Sequence, residues 1–253
     1  MRRYITYLKI FFRSFFVQSG WNYKSLLSIG FCFAMLPLAK KLYGNDVKKY
    51  NQFVKRHLGF FNAHPYFTSY ALGAVARLEE KIAQNTGDEV QLEKFKNALI
   101  GPLGALGDQL FWATVKPATF TLGVLGFLLV ENFYIRLTFL LLLGILYNMP
   151  HLYIRISGMM QGYKEGFLIC KYLKIDNFKF IKTTYSVLGI TAIGLVAGYI
   201  GASRLGFDPF AIFVFISSII ISIFYKSKKA KTYVSMLVPL LVALIIGIIK
   251  SKI

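Results

Sequence analysis

The feature that most constrains this chain lies in its second half, where apolar residues run in stretches that a water-soluble helix does not carry. Pro117 to Val130, Leu137 to Tyr147, Tyr185 to Ala202, Pro209 to Tyr225 and Tyr233 to Ile249 contain no charged residue. One helical crossing of a bilayer needs about 20 predominantly apolar residues. The last three runs approach that length. The first two reach it when one extends back to about Leu110 and the other on to about Ile156. Glu131, Asn132 and Arg136 then form the turn of a helical hairpin, near residues 131 to 136. Backbone polar groups in lipid must be satisfied within the protein, which makes such spans helical. The composition agrees: of 253 residues, 56% are hydrophobic and 16% charged, against about 25% charged in an average soluble domain. The expected fold is an all-α polytopic membrane protein.

The net charge of +19 points to nucleic acid, an anionic membrane surface or acidic partners, and the positions of the lysines choose among them. Lys171, Lys174, Lys179 and Lys182 precede the span at 185, and Lys226, Lys228, Lys229 and Lys231 separate the last two spans. Lysines on alternate loops place those loops in the cytoplasm and residues 203 to 208 outside. No nucleic-acid recognition motif accompanies them, and nucleic-acid binding is not expected. Cys32 and Cys170 match no metal or redox spacing and read as reduced structural residues.

Residues 1 to 115 have shorter apolar runs and read as an amphipathic, partly membrane-embedded helical region. It joins the polytopic region 116 to 253 through an element at 101 to 117, the whole acting as one functional unit. The opening MRRYITYLKIFFRSFFVQSG imitates a secretory signal, but Lys9 and Arg13 interrupt it and no small-residue cleavage site follows, so cleavage is not expected. Tyr4, Tyr7, Phe11 and Phe15 recur at helical spacing, as in an amphipathic helix lying in the interface. Leu26 to Leu42 has the composition to dip into or cross the membrane, kinked by Pro37. Asn85 to Asn97 reads as a solvated linker or short surface helix.

Two stretches carry candidate chemistry. In FFNAHPYFTSYALGAVARLEE, residues 60 to 80, Pro65 suits a first helical turn. Ser69, Gly73, Ala76 and Glu80 then form one stripe of small residues ending in a carboxylate, against which another helix can approach. In GPLGALGDQLFWATVKP, residues 101 to 117, Gly101, Pro102, Gly104, Gly107 and Pro117 surround Asp108, Gln109 and Trp112. Broken helices at membrane depth are tolerated where protein or a watery cavity covers the freed backbone, and in transporters they mark substrate sites. Asn62, His64, Glu80, Asp108, Gln109 and Trp112 would together offer hydroxyl-binding groups and a flat apolar ring, which suits a neutral polyol. Each residue also has a plainer role. His64 caps the helix after it, Glu79 and Glu80 pair with Arg77 or Lys81, Asp108 is an N-cap, Trp112 an interfacial anchor and Lys116 a snorkelling charge. No phosphate-binding loop, nucleophile elbow or zinc motif is present, and no catalytic residue, metal or cofactor is expected. An enzyme using His64 and Glu80 as base and acid ranks last.

The order of motifs RSFFVQSGWNYKSLLSIGFCFAMLPLAKKLY, KRHLGFFNAHPYFTSYALGAVARLEE and IGPLGALGDQLFWATVKP resembles the IID component of the mannose, fructose and sorbose family of the bacterial sugar phosphotransferase system. The resemblance covers roughly residues 10 to 200. It implies a multi-pass subunit of the bacterial cytoplasmic membrane that builds a sugar path with a IIC partner. Soluble IIA and IIB components would pass phosphate to a hexose or amino sugar, with several IIC–IID units in the assembly and no phosphorylated residue on this chain. Asn62, His64, Pro65, Glu79, Glu80, Gly101, Pro102, Gly107, Asp108, Phe111 and Trp112 match the family's shared pattern. Two departures stand out: SRLGFDP is a tight turn where the family has a longer polar insertion, and Gly20 stands where a serine is usual. A non-transporting scaffold or sensor derived from the family is the alternative.

Overall fold

The computed structural model describes residues 2–205 and, beyond them, Ile216 and Ile220. The spans at 209–225 and 233–249 and the lysine loop between them lie outside the described residues, those two positions excepted. Among the described residues the secondary structure is helical, with two isolated bridges, Asn22 to Leu26 and Leu26 to Phe61. Helix α1 spans Arg2–Ser14, α2 Ser28–Tyr43, α3 Val47–His57, α4 Thr68–Ala83 and α5 Glu89–Gly107. A π-helical segment, Asp108–Val115, joins α5 to α6, Lys116–Leu129. Helix α7 spans Phe133–Glu165, α8 Ile169–Tyr172 and α9 Lys179–Leu205. Among the described residues three continuous stretches are long and apolar enough to cross a membrane: Glu89–Leu129, Phe133–Tyr172 and Ile175–Ile200. The hairpin turns where expected, at residues 130 to 132. Asn132 caps α7 by accepting from the Tyr134 and Ile135 amides at 3.0 and 3.2 Å.

Helix α2 has 16 residues, too few for a crossing, and Phe31, Ala34, Met35 and Leu38 are fully buried in the protein. Neither Pro37 nor Pro150 breaks its helix. A proline deprives the carbonyl four residues earlier of its donor, and here a side chain from elsewhere replaces it. Arg13 donates to the Phe33 carbonyl at 3.1 Å, and the Tyr185 hydroxyl donates to the Leu146 carbonyl at 2.5 Å. Helix α7 thus runs on through Pro150, with α9 supplying the missing bond.

The stripe of small residues on α4 packs against α7, not against the 101–117 element. A Cβ on Gly73 would strike the Met159 carbonyl, and one on Gly162 the Tyr70 carbonyl. Ser69 donates to the Tyr66 and Ile154 carbonyls at 3.0 and 3.2 Å. Small residues on both partners, Ser69 and Gly73 facing Gly158 and Gly162, bring the backbones into contact.

Residues 85 to 97 differ from expectation. Asp88 caps α5 by accepting from the Val90 amide at 2.8 Å, and from Glu89 onward the segment is the start of the longest helical stretch. Leu92, Phe95, Lys96 and Leu99 face inward. Their spacing of three, one and three is an apolar stripe hidden in sequence because one of its members is a lysine.

Helix α1 buries Ile10 and Ser14 and leaves Ile5, Leu8 and Phe12 exposed, and the turn after it buries Val17 and exposes Phe16, the two-faced pattern of an interfacial segment. Gly20, the departure from the family serine, has a physical reason. A Cβ there would lie 2.7 Å from Ile29 Cγ2 and 2.9 Å from its Cβ. Asn22 holds the same loop through bonds from the Lys24 and Ser25 amides to its Oδ1 at 3.1 and 2.9 Å.

Candidate functional site

The 101–117 element is not a broken helix. Helical geometry runs through it, and the irregularity is a π segment, whose hydrogen bonds reach one residue further than those of an α-helix. Thr114 marks that wider turn by donating from Oγ1 to the Gln109 carbonyl five residues back, at 2.9 Å. Asp108 has φ −63° and ψ −45° with helix on both sides, so it is not an N-cap. The segment buries Leu110, Phe111, Thr114 and Val115 and exposes Asp108, Gln109 and Trp112. Beyond Gly101 and Gly104 there is open space, whereas Gly107 is filled: a Cβ there would strike the His64 side chain. The three glycines therefore do two jobs. One admits His64, and two leave a small-residue face uncovered.

His64 stands in the segment leading into α4, which begins at Thr68 after a turn over residues 65 to 67, so Pro65 precedes the helix instead of opening it. Its carbonyl accepts from the Thr68 amide at 3.0 Å and hydroxyl at 3.2 Å. Its ring stacks on Phe111 with centroids 5.3 Å apart and meets Trp112 edge-on at 6.1 Å. The Tyr66 amide donates to Nδ1 at 3.3 Å, which leaves the ring proton on Nε2. Burial, then the nearby Arg155 and His151, push the His64 pKa down to about 4. The ring is neutral at physiological pH and serves as a hydrogen-bonding group without charge.

His64, Trp112, Tyr66, Tyr147, Gln18 and Lys116 line a cavity of about 100 Å³. Lys116 lies over the Trp112 ring at 4.0 Å, and the Tyr66 and Tyr147 hydroxyls are 3.0 Å apart. Small-molecule sites range over roughly 300 to 1,000 Å³, so this cavity is too small to hold such a ligand by itself. Asn62 is exposed two residues before His64. Glu80 is not in this cluster: it sits near the far end of α4, about 18 Å along the axis from Thr68 at 1.5 Å per residue. There it accepts from Lys41 at 3.0 Å and from the Tyr163 hydroxyl at 2.7 Å.

Two groups escaped the reading of the sequence. The first is Arg155, 3% exposed. It donates to the Ser14 carbonyl at 2.7 Å and to His151 Nε2 at 2.8 Å, with its guanidinium 5.3 Å from the Tyr66 ring centre. It props Tyr66 against the cavity. A lone charge between Arg136 and Lys164 in an apolar helix was the available signal.

The second is a buried ionic network. Glu79 is fully buried and accepts from Arg56 at 2.7 and 2.9 Å and from His57 Nε2 at 2.9 Å. Lys96 lies 3.3 Å from His57 Nδ1 and donates to the Arg56 carbonyl at 3.0 Å. Glu79 thus pairs with α3, and not with the Arg77 or Lys81 of its own helix; Arg77 instead donates to the Tyr163 and Lys164 carbonyls. Burial alone would raise the Glu79 carboxyl, but the bonds from Arg56 and His57 hold it below its ordinary value. Burial pushes His57 down to about 4.

The pH dependence follows. His57 and His64 sit near 4 when folded and near 6.5 in an unfolded chain, so the unfolded state binds more protons between those values. Stability falls as pH drops from about 6.5 toward 4, by up to ~1.4 kcal/mol per unit per histidine. Glu79, with its lowered value, loses its contribution in the same direction as the pH falls through that value. Thermal melting at pH 7, 6 and 5 should show the decline, and His57→Gln should make it shallower, leaving the share of His64.

A bundle of membrane-length helices, tied together by buried polar bonds, defines a polytopic membrane protein. The family model of the PTS system mannose/fructose/sorbose family IID component matches residues 4–251. The chain belongs to that family. It is 33% identical over 186 residues to the fructose permease IID component of Bacillus subtilis, covering 73% of this chain and 66% of that one. It is 33% identical to the mannose-specific EIID component of Escherichia coli K12, covering 73% and 64%. The chain thus aligns with somewhat less than two thirds of the length of these relatives. It is also similar to the cryo-EM structure of the mannose transporter ManYZ in complex with microcin E492, with a TM-score of 0.60, 31% identity and coverage of 76% and 69%.

Proposed function

We propose that this chain is one half of a sugar permease of the bacterial cytoplasmic membrane. In this reading it builds the translocation path with a IIC subunit, crosses the membrane several times, and takes up a hexose or amino sugar phosphorylated by soluble IIA and IIB components. The observation that carries the reading is the exposed face of the π segment. Trp112 and neutral His64 line a cavity smaller than a sugar-binding site, Asp108 and Gln109 are exposed on the same π segment, and open space lies beyond Gly101 and Gly104 on the helix that leads into it. A partner helix on that face would complete the site. The sugar would lie between the two, hydrogen-bonded to Asp108, Gln109, Asn62 and His64 and stacked on Trp112. Glu80 then braces α4 against α2 and α7. The amphipathic region 1–115 and the spans of 116–253 work as one unit, because the 101–117 element belongs to both.

Phosphoenolpyruvate-dependent uptake of labelled mannose, fructose or glucosamine, in cells expressing this chain with its neighbouring IIC and IIA/IIB components, tests the reading. Uptake should require the chain. Trp112→Ala should lower it about tenfold, the order of a lost aromatic contact, while His64→Gln should keep a fraction because an amide still holds a hydroxyl. The tight turn SRLGFDP, where the family has a longer polar insertion, favours a second reading, a non-transporting scaffold or sensor. A stable complex with no uptake of any hexose or amino sugar would support it and reject the permease.

A further inference from the structure

Between α1 and α2 runs an open groove of about 690 Å³ lined by Lys9, Arg13, Lys40, Lys41, Pro37 and Tyr50. Four cations share it. Lys41 is balanced by Glu80 at 3.0 Å. Arg13 donates to the Phe33 carbonyl and lies over the Phe33 ring at 4.6 Å, and no described carboxylate pairs with it, Lys9 or Lys40. Grouping cations with less than their complement of counter-charge is unfavourable, and an anion in the groove removes the cost.

Three observations identify the anion's source. The outer face of α1 beside the groove is apolar, with Leu8 55% and Phe12 59% exposed, and Phe16 in the turn after it is 58% exposed, which suits burial at the boundary of headgroups and acyl chains. The groove floor includes Ile5, Leu36 and Pro37, so an occupant meets both charge and hydrocarbon. Lys41 is also tied through Glu80 to Tyr163, at the end of α7 that runs on to Lys164, Lys171 and Lys174. That end is the one the lysine pattern assigns to the cytoplasm, where the leaflet is anionic.

The geometry points to a binding site for the phosphate of an anionic phospholipid, held by Lys9, Arg13 and Lys40 with its acyl chains along the outer face of α1. The lipid fixes the interfacial helix at its depth. This inference rests only on membrane residence and is independent of any sugar.

The test uses the full chain reconstituted in nanodiscs of phosphatidylcholine mixed with phosphatidylglycerol, then extracted gently and weighed intact by native mass spectrometry. The wild type should retain phosphatidylglycerol in preference to phosphatidylcholine. Each surface cation near a membrane is worth about fivefold in anionic-lipid affinity, so Lys9→Gln with Lys40→Gln should cut that preference about twentyfold. Lys48→Gln with Lys55→Gln, on the exposed side of α3, should leave it within about twofold. Both pairs are on exposed positions, and matching melting curves in pure phosphatidylcholine check that they fold. Equal retention by wild type and the first pair, or an equal loss in the second pair, overturns the site. Stabilisation in pure phosphatidylcholine by inorganic phosphate alone, matching that of phosphatidylglycerol, assigns the groove to a soluble anion and overturns the lipid.

Discussion

Replacing Glu79 by Ala should destabilise the chain by about 3 to 5 kcal/mol, the usual cost of leaving a buried ionic partner alone. The carboxylate is fully buried and takes both fork hydrogens of Arg56 as well as the His57 proton. Without it the Arg56 guanidinium keeps Glu89, at 2.9 Å, as its carboxylate partner, and helix α3 loses its ionic tie to α4. The measurable outcome is a large drop in melting temperature in detergent and low accumulation in membranes. Glu79→Leu combined with Arg56→Met should recover much of the loss, because removing both charges also removes the desolvation problem. A single variant that melts within a degree of wild type would show that the network is not holding α3.

Gly73→Leu should be comparably severe, about 3 kcal/mol or more, since the new side chain would have to displace the α7 backbone at Met159 and not a flexible neighbour. Gly162→Leu should behave alike from the other side of the same contact. Gly101→Ala is the contrast, with open space beyond its Cβ. It should fold as well as wild type or slightly better, by about 0.5 to 1 kcal/mol. If the glycine face receives a partner subunit, Gly101→Leu should leave the isolated chain intact and abolish co-purification with the IIC subunit. Folding and assembly defects would then separate between two glycines of similar appearance in sequence.

The helical hairpin was legible because its signals are local: two uncharged runs and an Asn at the turn. So was the α4 stripe, whose small residues recur at helical spacing. What that stripe meets was not legible, since Gly158 and Gly162 lie more than eighty positions away and nothing local marks them as its partner. The start of α5 was misjudged because Lys96 reads as a solvent residue, whereas the fold buries it against the Arg56 carbonyl and His57. The same non-locality hid the Glu79 network. An adjacent pair of glutamates suggests pairing along their own helix, but on α4 they face different neighbours, Glu79 toward α3 and Glu80 toward α2 and α7. Glycine and proline in the 101–117 element correctly flagged an irregularity. Its form, a widened turn and not a break, lies in the hydrogen bonding across Asp108–Val115, which no local pattern states.

The two donors that replace the bonds lost at Pro37 and Pro150 carry a consequence for biosynthesis. Arg13 is made before the carbonyl it serves, so α2 finds its substitute donor waiting. Tyr185 is made after Leu146, so during synthesis the first hairpin must stand with that acceptor unserved until nearly forty more residues have left the ribosome. Helix α2 therefore has its substitute donor in order of synthesis whereas α7 gains its own only retroactively, and a ribosome stalled before Tyr185 would leave a hairpin with one hydrogen-bond acceptor still waiting for its donor.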